Sequence, residues 1–290
     1  MTAVGSALVA VLPDQVPERQ RGVVSGILGV CLPVGLVGAT YLVQLASPNM
    51  TLMLLLPAVV GAVIVLGFAV VFRDRRLDPT HRPAWSLREL AGTFYVDPRR
   101  NPDFGWAWAS RFLFILAYSF LTTYQSFYLL NKLGSSEEEV PHQIFLTTLV
   151  LSATTVVASL VSGKLSDATG RRKIFVLLAA IIYGAGLFVA AAAGQLSVFL
   201  VAMMIAGLGF GAYFAVDLAL VADVLPDPGN AASKDMGVFN IASTLPQSLA
   251  PAVAPAILAI GSGSYAVLFA TAGVTAALAA LIILRVRKVR

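Results

Sequence analysis

The chain has 290 residues, of which 58% are hydrophobic and only 12% charged, with a net charge of +5 and a mean hydropathy of +0.84. Soluble domains carry about 25% charged residues, so this composition excludes an ordinary soluble fold. One cysteine, Cys31, excludes an intrachain disulfide, and basic residues grouped between apolar runs, without interleaved aromatics on a polar domain, favour membrane topology over a nucleic-acid partner.

In chain order, residues 1–12 are apolar but too short to cross a bilayer, and they lack the basic start and small-residue cleavage site of a signal peptide. They read as the end of a helix. Eight runs follow that are long enough to cross about 30 Å of hydrocarbon at 1.5 Å per residue. The predicted spans are 25–45, 51–72, 106–130, 143–161, 174–193, 196–221, 236–260 and 265–284. The fold class expected is an all-α membrane protein with eight transmembrane helices and a partial helix before them.

The connections alternate in charge. Arg19 and Arg21, the seven arginines of 73–100, then Lys164, Arg171, Arg172, Lys173, Lys234 and the tail Arg285, Arg287, Lys288 and Arg290 hold 18 of the 20 basic residues. Connections of the other set carry only Lys132, beside Glu137, Glu138 and Glu139. Because positively charged loops stay in the cytoplasm, the first set, including the C-terminus, is expected inside. The longest connection, 73–104, reads as a linker between two spans and six. Within it Trp85, Leu87, Leu90 and Phe94 near Arg88 suit an interfacial helix, or equally a charged loop.

Helices lining a solvated cavity keep polar residues on one face, because polar groups are costly toward lipid. The third span places Arg111, Tyr118, Thr122 and Gln125 at helical spacing, and the seventh places Asn240, Thr244 and Gln247 ahead of Pro251 and Pro255, which free backbone carbonyls. Both stripes read as cavity walls; hydrogen bonding between helices is the alternative for each. In the sixth span Asp217 lies one turn after Tyr213 and close to the basic end, where an unpaired carboxylate would cost several kcal/mol, at least ~2.5. Arg111 lies at a similar depth, so the two are expected to pair. Proton coupling, a purely structural ion pair and independent snorkelling are the three roles open to Asp217. Asp223 is expected at a solvated helix end.

Other patterns suit packing. Gly207, Gly209 and Gly211 look like a nucleotide loop but sit inside an apolar span without a preceding strand, which implies close helix contact. The series Gly26, Gly29, Gly35 and Gly38 has the same reading. Asn49-Met50-Thr51 is a glycosylation sequon in a loop expected to hug the membrane unmodified. His81 and His142 lie in separate loops, so no metal cluster or nucleophilic triad is expected, and no cofactor.

Two features carry a family resemblance. The segment Ala7-Leu8-Val9-Ala10-Val11-Leu12-Pro13-Asp14 recurs, with one insertion, as Ala219-Leu220-Val221-Ala222-Asp223-Val224-Leu225-Pro226-Asp227, and internal symmetry is characteristic of transporter folds. Residues 163–173 read Gly163-Lys164-Leu165-Ser166-Asp167-Ala168-Thr169-Gly170-Arg171-Arg172-Lys173. That run resembles the G-x-L-[AS]-D-x-x-G-R-[RK] loop of the major facilitator superfamily, in which glycines permit a tight turn and close helix approach, Asp167 can face helix N-termini and the basic run stays inside.

The resemblance implies twelve helices in two six-helix bundles, with this loop between helices 2 and 3 and between 8 and 9. Counting back from the C-terminus makes the spans helices 5 to 12 of an MFS-type helical bundle. Residues 1–72 are then the remnant of an N-terminal bundle, 73–104 a cytoplasmic linker and 105–290 the C-terminal six-helix bundle; the missing N-terminal bundle is expected in the full-length protein. Gly163, Asp167, Gly170, Arg171 and Arg172 take the motif's positions. Leu36 stands where the G-P-x-x-G-G element of drug/proton antiporters has proline, which argues against efflux.

The implied function is transport of a small solute by alternating access, with coupling to a proton as one option. The implied partners are the lipid bilayer and the solute, the location the cytoplasmic membrane. Polar stripes suit a sugar or similar metabolite, with drug efflux as the alternative. The rival class is a non-transporting remnant or scaffold, and no catalytic constellation points to an enzyme.

Overall fold

The computed structural model describes residues 18–71, 99–224 and 232–287. The stub 1–12, the first copy of the repeat, the end of its second copy, His81 and segment 85–95 with most of the linker lie outside the described residues, as do the side chains of Arg19, Arg21, Asp223 and Lys234. Among the described residues there are eight helices: α1 (Glu18–Ala46), α2 (Met50–Val71), α3 (Pro102–Asn131), α4 (Val140–Thr169), α5 (Arg172–Ala192), α6 (Leu196–Val224), α7 (Ala232–Ile260) and α8 (Tyr265–Ile283). Each takes up one predicted span. Seven are long and apolar enough to cross a membrane, and α1 adds an apolar stretch over Pro33–Ala46.

Local chemistry sets the helix ends. Pro102 sits in the first turn of α3, where its missing N–H costs nothing, with Asp103 beside the positive end of the helix dipole. The Asn49 side-chain oxygen accepts the Leu52 N–H at 3.1 Å, so the sequon asparagine is the N-cap of α2. Helix α4 runs to Thr169 rather than stopping near 161, and Gly170 ends it at φ +64°, donating its N–H to Ser166 O at 2.9 Å. Most of the 163–173 motif is therefore helix, and the turn is confined to Gly170 and Arg171. Gly163 lies within α4, its Cβ position 3.9 Å from the Ala215 Cβ of α6, which suits close approach rather than turning. Asp167 is exposed in the last turn of α4.

Helices α3 to α8 pack around one another: α6 lies between α4 and α5, α5 against α8, α8 against α3, and α3 against α7. Helix α1 docks on α4, and α2 on α1. Glycines allow the closest of these approaches. A Cβ at Gly186 of α5 would lie 2.7 Å from the Ala206 N of α6, and Cβ atoms at Gly207, Gly209 and Gly211 would collide with backbone of α4 or α5, as the packing reading of these glycines requires. On α1 the surroundings of Gly26 and Gly29 lie outside the described residues, and that reading is not met at the other two. Gly35 and Gly38 have nothing within 4 Å of a Cβ, because α1 meets α4 through another face, marked by the Tyr41–Phe145 ring contact and the Gln44–His142 hydrogen bond.

Outward surfaces carry large apolar side chains such as Leu54, Val63, Val157, Leu160 and Leu281. Water would make such a surface unfavourable, and hydrocarbon suits it. Polar groups instead turn inward: Ser110, Thr147, Ser152, Thr155 and Ser162 are buried, and Thr155 and Ser110 donate to backbone carbonyls of neighbouring helices, Gly207 O and Ala279 O.

Candidate functional site

Arg111 sits in the third turn of α3 and Asp217 near the end of α6, at 7% and 4% exposure. Arg111 Nη1 and Asp217 Oδ2 form a direct ion pair, as the matching depth of the two residues predicts. Its remaining partners come from α7. Nε donates to Ser243 Oγ at 2.7 Å, and the guanidinium carbon lies 4.8 Å over the Phe239 ring. A single cation thus ties three helices together. Withdrawing two charges from water costs several kcal/mol per ion, at least ~2, offset only when geometry and extra hydrogen bonds are good, and here a hydroxyl and an aromatic face supply them.

Ser243 and Phe239 are absent from the sequence-derived set. They stand four apart on α7, interleaved with the recognised stripe, and their spacing was the available signal. Neither residue type stands out in an apolar span, so only the arrival of Arg111 gives them a role.

Behind the pair lies an aromatic stack. Tyr213, one turn before Asp217, is buried with its ring 3.6 Å from Phe114 and 5° from parallel. Its hydroxyl lies beside the Asp217 carboxylate without reaching hydrogen-bond geometry. Tyr213 therefore belongs to the wall behind the ion pair rather than to an open surface. Tyr118 is half-buried and stacks on Phe210 at 4.6 Å.

The other stripe residues are not gathered around the pair. Thr122 is exposed and donates to its own helix at Tyr118 O, 3.1 Å away, while Gln125 is half-buried. Asn240, Thr244 and Gln247 are exposed on α7; Thr244 donates to Asn240 O at 3.3 Å and Gln247 to Ser243 O at 2.9 Å. Helices α3 and α7 are neighbours, and Tyr124 reaches the Pro251 carbonyl at 3.5 Å. That carbonyl lacks its helical donor because position 255 is proline.

One motif arginine, Arg172, acts on the same helix as Asp217. Arg172 Nη1 donates to the Ala219 carbonyl of α6 at 2.9 Å, two residues beyond Asp217, while Arg171 is exposed at the turn. Lys173 reaches the C-terminal end of α8, with Nζ 2.7 Å from Leu284 O and 2.6 Å from Val286 O. It supplies a positive charge at the negative end of the α8 dipole, where helix carbonyls run out of intrahelical donors. Arg287 N–H donates to Asp103 at 3.0 Å, and the Arg285 guanidinium lies 5.1 Å over Trp106. The basic residues thus join the ends of α3, α5, α6 and α8 at one end of the molecule.

A separate cleft of about 650 Å³ opens at the opposite end, between α1, α2, α3 and α4. A smaller apolar gap of about 230 Å³ lies between α1 and α4. Neither is lined by any of the nine residues proposed from sequence for a substrate cavity.

Comparison with known proteins accords with this architecture. The sequence profile of the Major Facilitator Superfamily matches residues 1–227 and, overlapping, 140–290. A curated relative, the multidrug resistance protein MdtL of Shewanella sp. (strain ANA-3), is 30% identical over 128 residues, which is 44% of this chain and 31% of the relative. The chain thus spans about a third of that relative's length in the match. Apolar crossing helices, a charged pair buried between them, the 163–173 motif and a profile match reaching both termini agree: the chain belongs to the Major Facilitator Superfamily of multi-pass membrane transporters.

Proposed function

We propose that this chain moves a small organic solute by alternating access, and that the Arg111–Asp217 pair couples proton binding to the movement. The observation that carries the reading is the buried pair itself, shared by α3, α6 and α7. A carboxylate in an apolar interior is stable either paired with a cation or protonated. Protonation of Asp217 would release Arg111 to Ser243 and Phe239 and loosen α6 from α3, so proton occupancy and helix position become linked. On this reading Tyr118, Thr122, Gln125, Asn240, Thr244 and Gln247 line the solute route along α3 and α7, with Tyr213 behind the pair.

The same reading takes 105–290 as the C-terminal six-helix bundle, 73–104 as the linker and 1–72 as the closing part of a first bundle. Packing of α3 to α8 around one another, with α1 attached through α4, supports that division. The end bearing Arg171, Arg172, Lys173 and the C-terminus is assigned to the cytoplasm, and the protein to the cytoplasmic membrane, on the grouping of positive charge.

For the solute, the exposed amide and hydroxyl stripe on α7 favours a polar metabolite such as a sugar. The named activity of the relative, multidrug resistance, favours drug efflux as the second reading.

Proteoliposomes with an imposed pH gradient, screened across sugars, amino acids and cationic drugs, test both. A solute accumulated by the native protein is expected to lose gradient-driven accumulation in Asp217→Asn while still exchanging down its own gradient. Unchanged proton-driven accumulation in that variant would remove the coupling role.

A further inference from the structure

Tyr213 stands behind the ion pair with its hydroxyl unengaged. The side chain is 1% exposed, and its oxygen makes no hydrogen bond among the described residues. A buried O–H without an acceptor is costly, and the ring cannot swing away to find one. It lies 3.6 Å from the Phe114 ring and 5° from parallel, while Gly209 and Gly211 bring α6 into backbone contact with α5 and α4. Only the hydroxyl proton is left free to turn about the C–O bond.

Two acceptors stand beside that proton. One is the Asp217 carboxylate, four residues on and therefore on the same face of α6. The other is Ser110 of α3, next in sequence to Arg111. Ser110 Oγ gives its own proton to the Ala279 carbonyl of α8 at 2.9 Å, so toward Tyr213 it can only accept. Among the described residues, the charged groups acting on the Tyr213 hydroxyl are Asp217 and Arg111, and the titratable groups acting on Asp217 are Arg111 and Tyr213. The neighbouring helices add no charge here: α5 brings Tyr183 to the same Phe114 ring, α4 brings Thr155, and α7 brings Ser243 and Phe239 to Arg111.

We propose that Tyr213 is a positioning residue for Asp217: its O–H is held in reserve beside Ser110 while Arg111 occupies the carboxylate, and takes the place of the guanidinium when the pair opens. The inference rests on the reading of Asp217 as the proton carrier. In the closed pair Arg111 draws the carboxylate toward α3 through Oδ2. Once released, the short Asp217 side chain can turn to the fixed phenol. A donor there favours the charged carboxylate over the protonated acid, so the proton is given up again and does not stay trapped in the apolar interior.

Infrared difference spectra of the full chain in lipid vesicles, taken between alkaline and acidic pH, report carboxyl protonation directly. The native protein is expected to gain a carboxyl C=O band on acidification that Asp217→Asn lacks. Tyr213→Phe keeps the ring on Phe114 and removes only the hydroxyl. It is expected to move that band to higher frequency, because the carbonyl loses its donor, and to raise the pH at which the band is half-formed by about one unit, a tenfold change. Ser110→Ala removes the rival acceptor and keeps the donor, so it is expected to lower that pH.

Opposite displacements are not what a general loosening of the fold produces. A native protein without the band removes the coupling reading and this inference with it. A native band that Tyr213→Phe leaves unmoved, or that both variants displace in the same direction, overturns the inference alone. If Tyr213→Phe does not fold, Ser110→Ala decides by itself: a lowered pH supports the inference, and an unmoved or raised one overturns it.

Discussion

Replacing Arg111 with methionine removes the cation but keeps a long apolar stem, leaving Asp217 at 4% exposure without its guanidinium. Breaking a buried pair from one side costs about 3–5 kcal/mol, and the contact with Phe239 at 4.8 Å adds about 0.5–2 kcal/mol. Asp217→Asn is milder, because Arg111 retains the Ser243 hydroxyl at 2.7 Å and the Phe239 face; its expected cost is about 1–3 kcal/mol. The double variant Arg111→Met/Asp217→Leu buries no charge and is expected to recover most of the loss, since apolar replacement of a buried pair is often neutral or stabilising. Denaturation in detergent of the native protein, Arg111→Met, Asp217→Leu and this double variant closes a double-mutant cycle with an expected coupling of about 2–3 kcal/mol, at the upper end of the range for residues in contact. A double variant as unstable as the sum of the two single ones would refute the pairing energetics argued from this geometry.

Three further substitutions examine the scaffold. Lys173→Met removes the charge that meets the Leu284 and Val286 carbonyls and is expected to lower stability by about 1 kcal/mol, read as a fall in unfolding temperature in detergent. Gly186→Ala places a methyl 2.7 Å from the Ala206 N and is expected to cost about 1–3 kcal/mol. Gly35→Ala meets open space and is expected to be neutral or to gain up to about 1 kcal/mol from helix propensity; the same unfolding measurement separates the two glycines.

Much of the fold is legible in one dimension because lipid imposes a one-dimensional rule. A segment that crosses must be apolar for about 20 residues and must satisfy its own backbone, so spans can be counted directly along the chain. Charge alternation then adds an expected sidedness. The Arg111–Asp217 pair was legible for a related reason: each ion stands out against an apolar background, and equal depth in two helices brings them level. Ser243 and Phe239 were not legible, since a serine and a phenylalanine are ordinary in such a helix until a guanidinium lies between them. The motif glycines divide the two tasks read for them, Gly170 making the turn and Gly163 the close approach within α4, a division that only the extent of α4 reveals.

Sequence by itself determined the helical class, the number and order of the crossings, and the family motif, since each depends on composition and local periodicity. Tertiary structure alone decided which helices touch: why Gly186 and Gly209 are closely packed while Gly35 is not, why Lys173 caps α8, and where the larger cleft opens. Those outcomes rest on rotation and tilt of helices about their own axes, which hydrophobicity toward lipid leaves nearly free and which close packing between side chains settles.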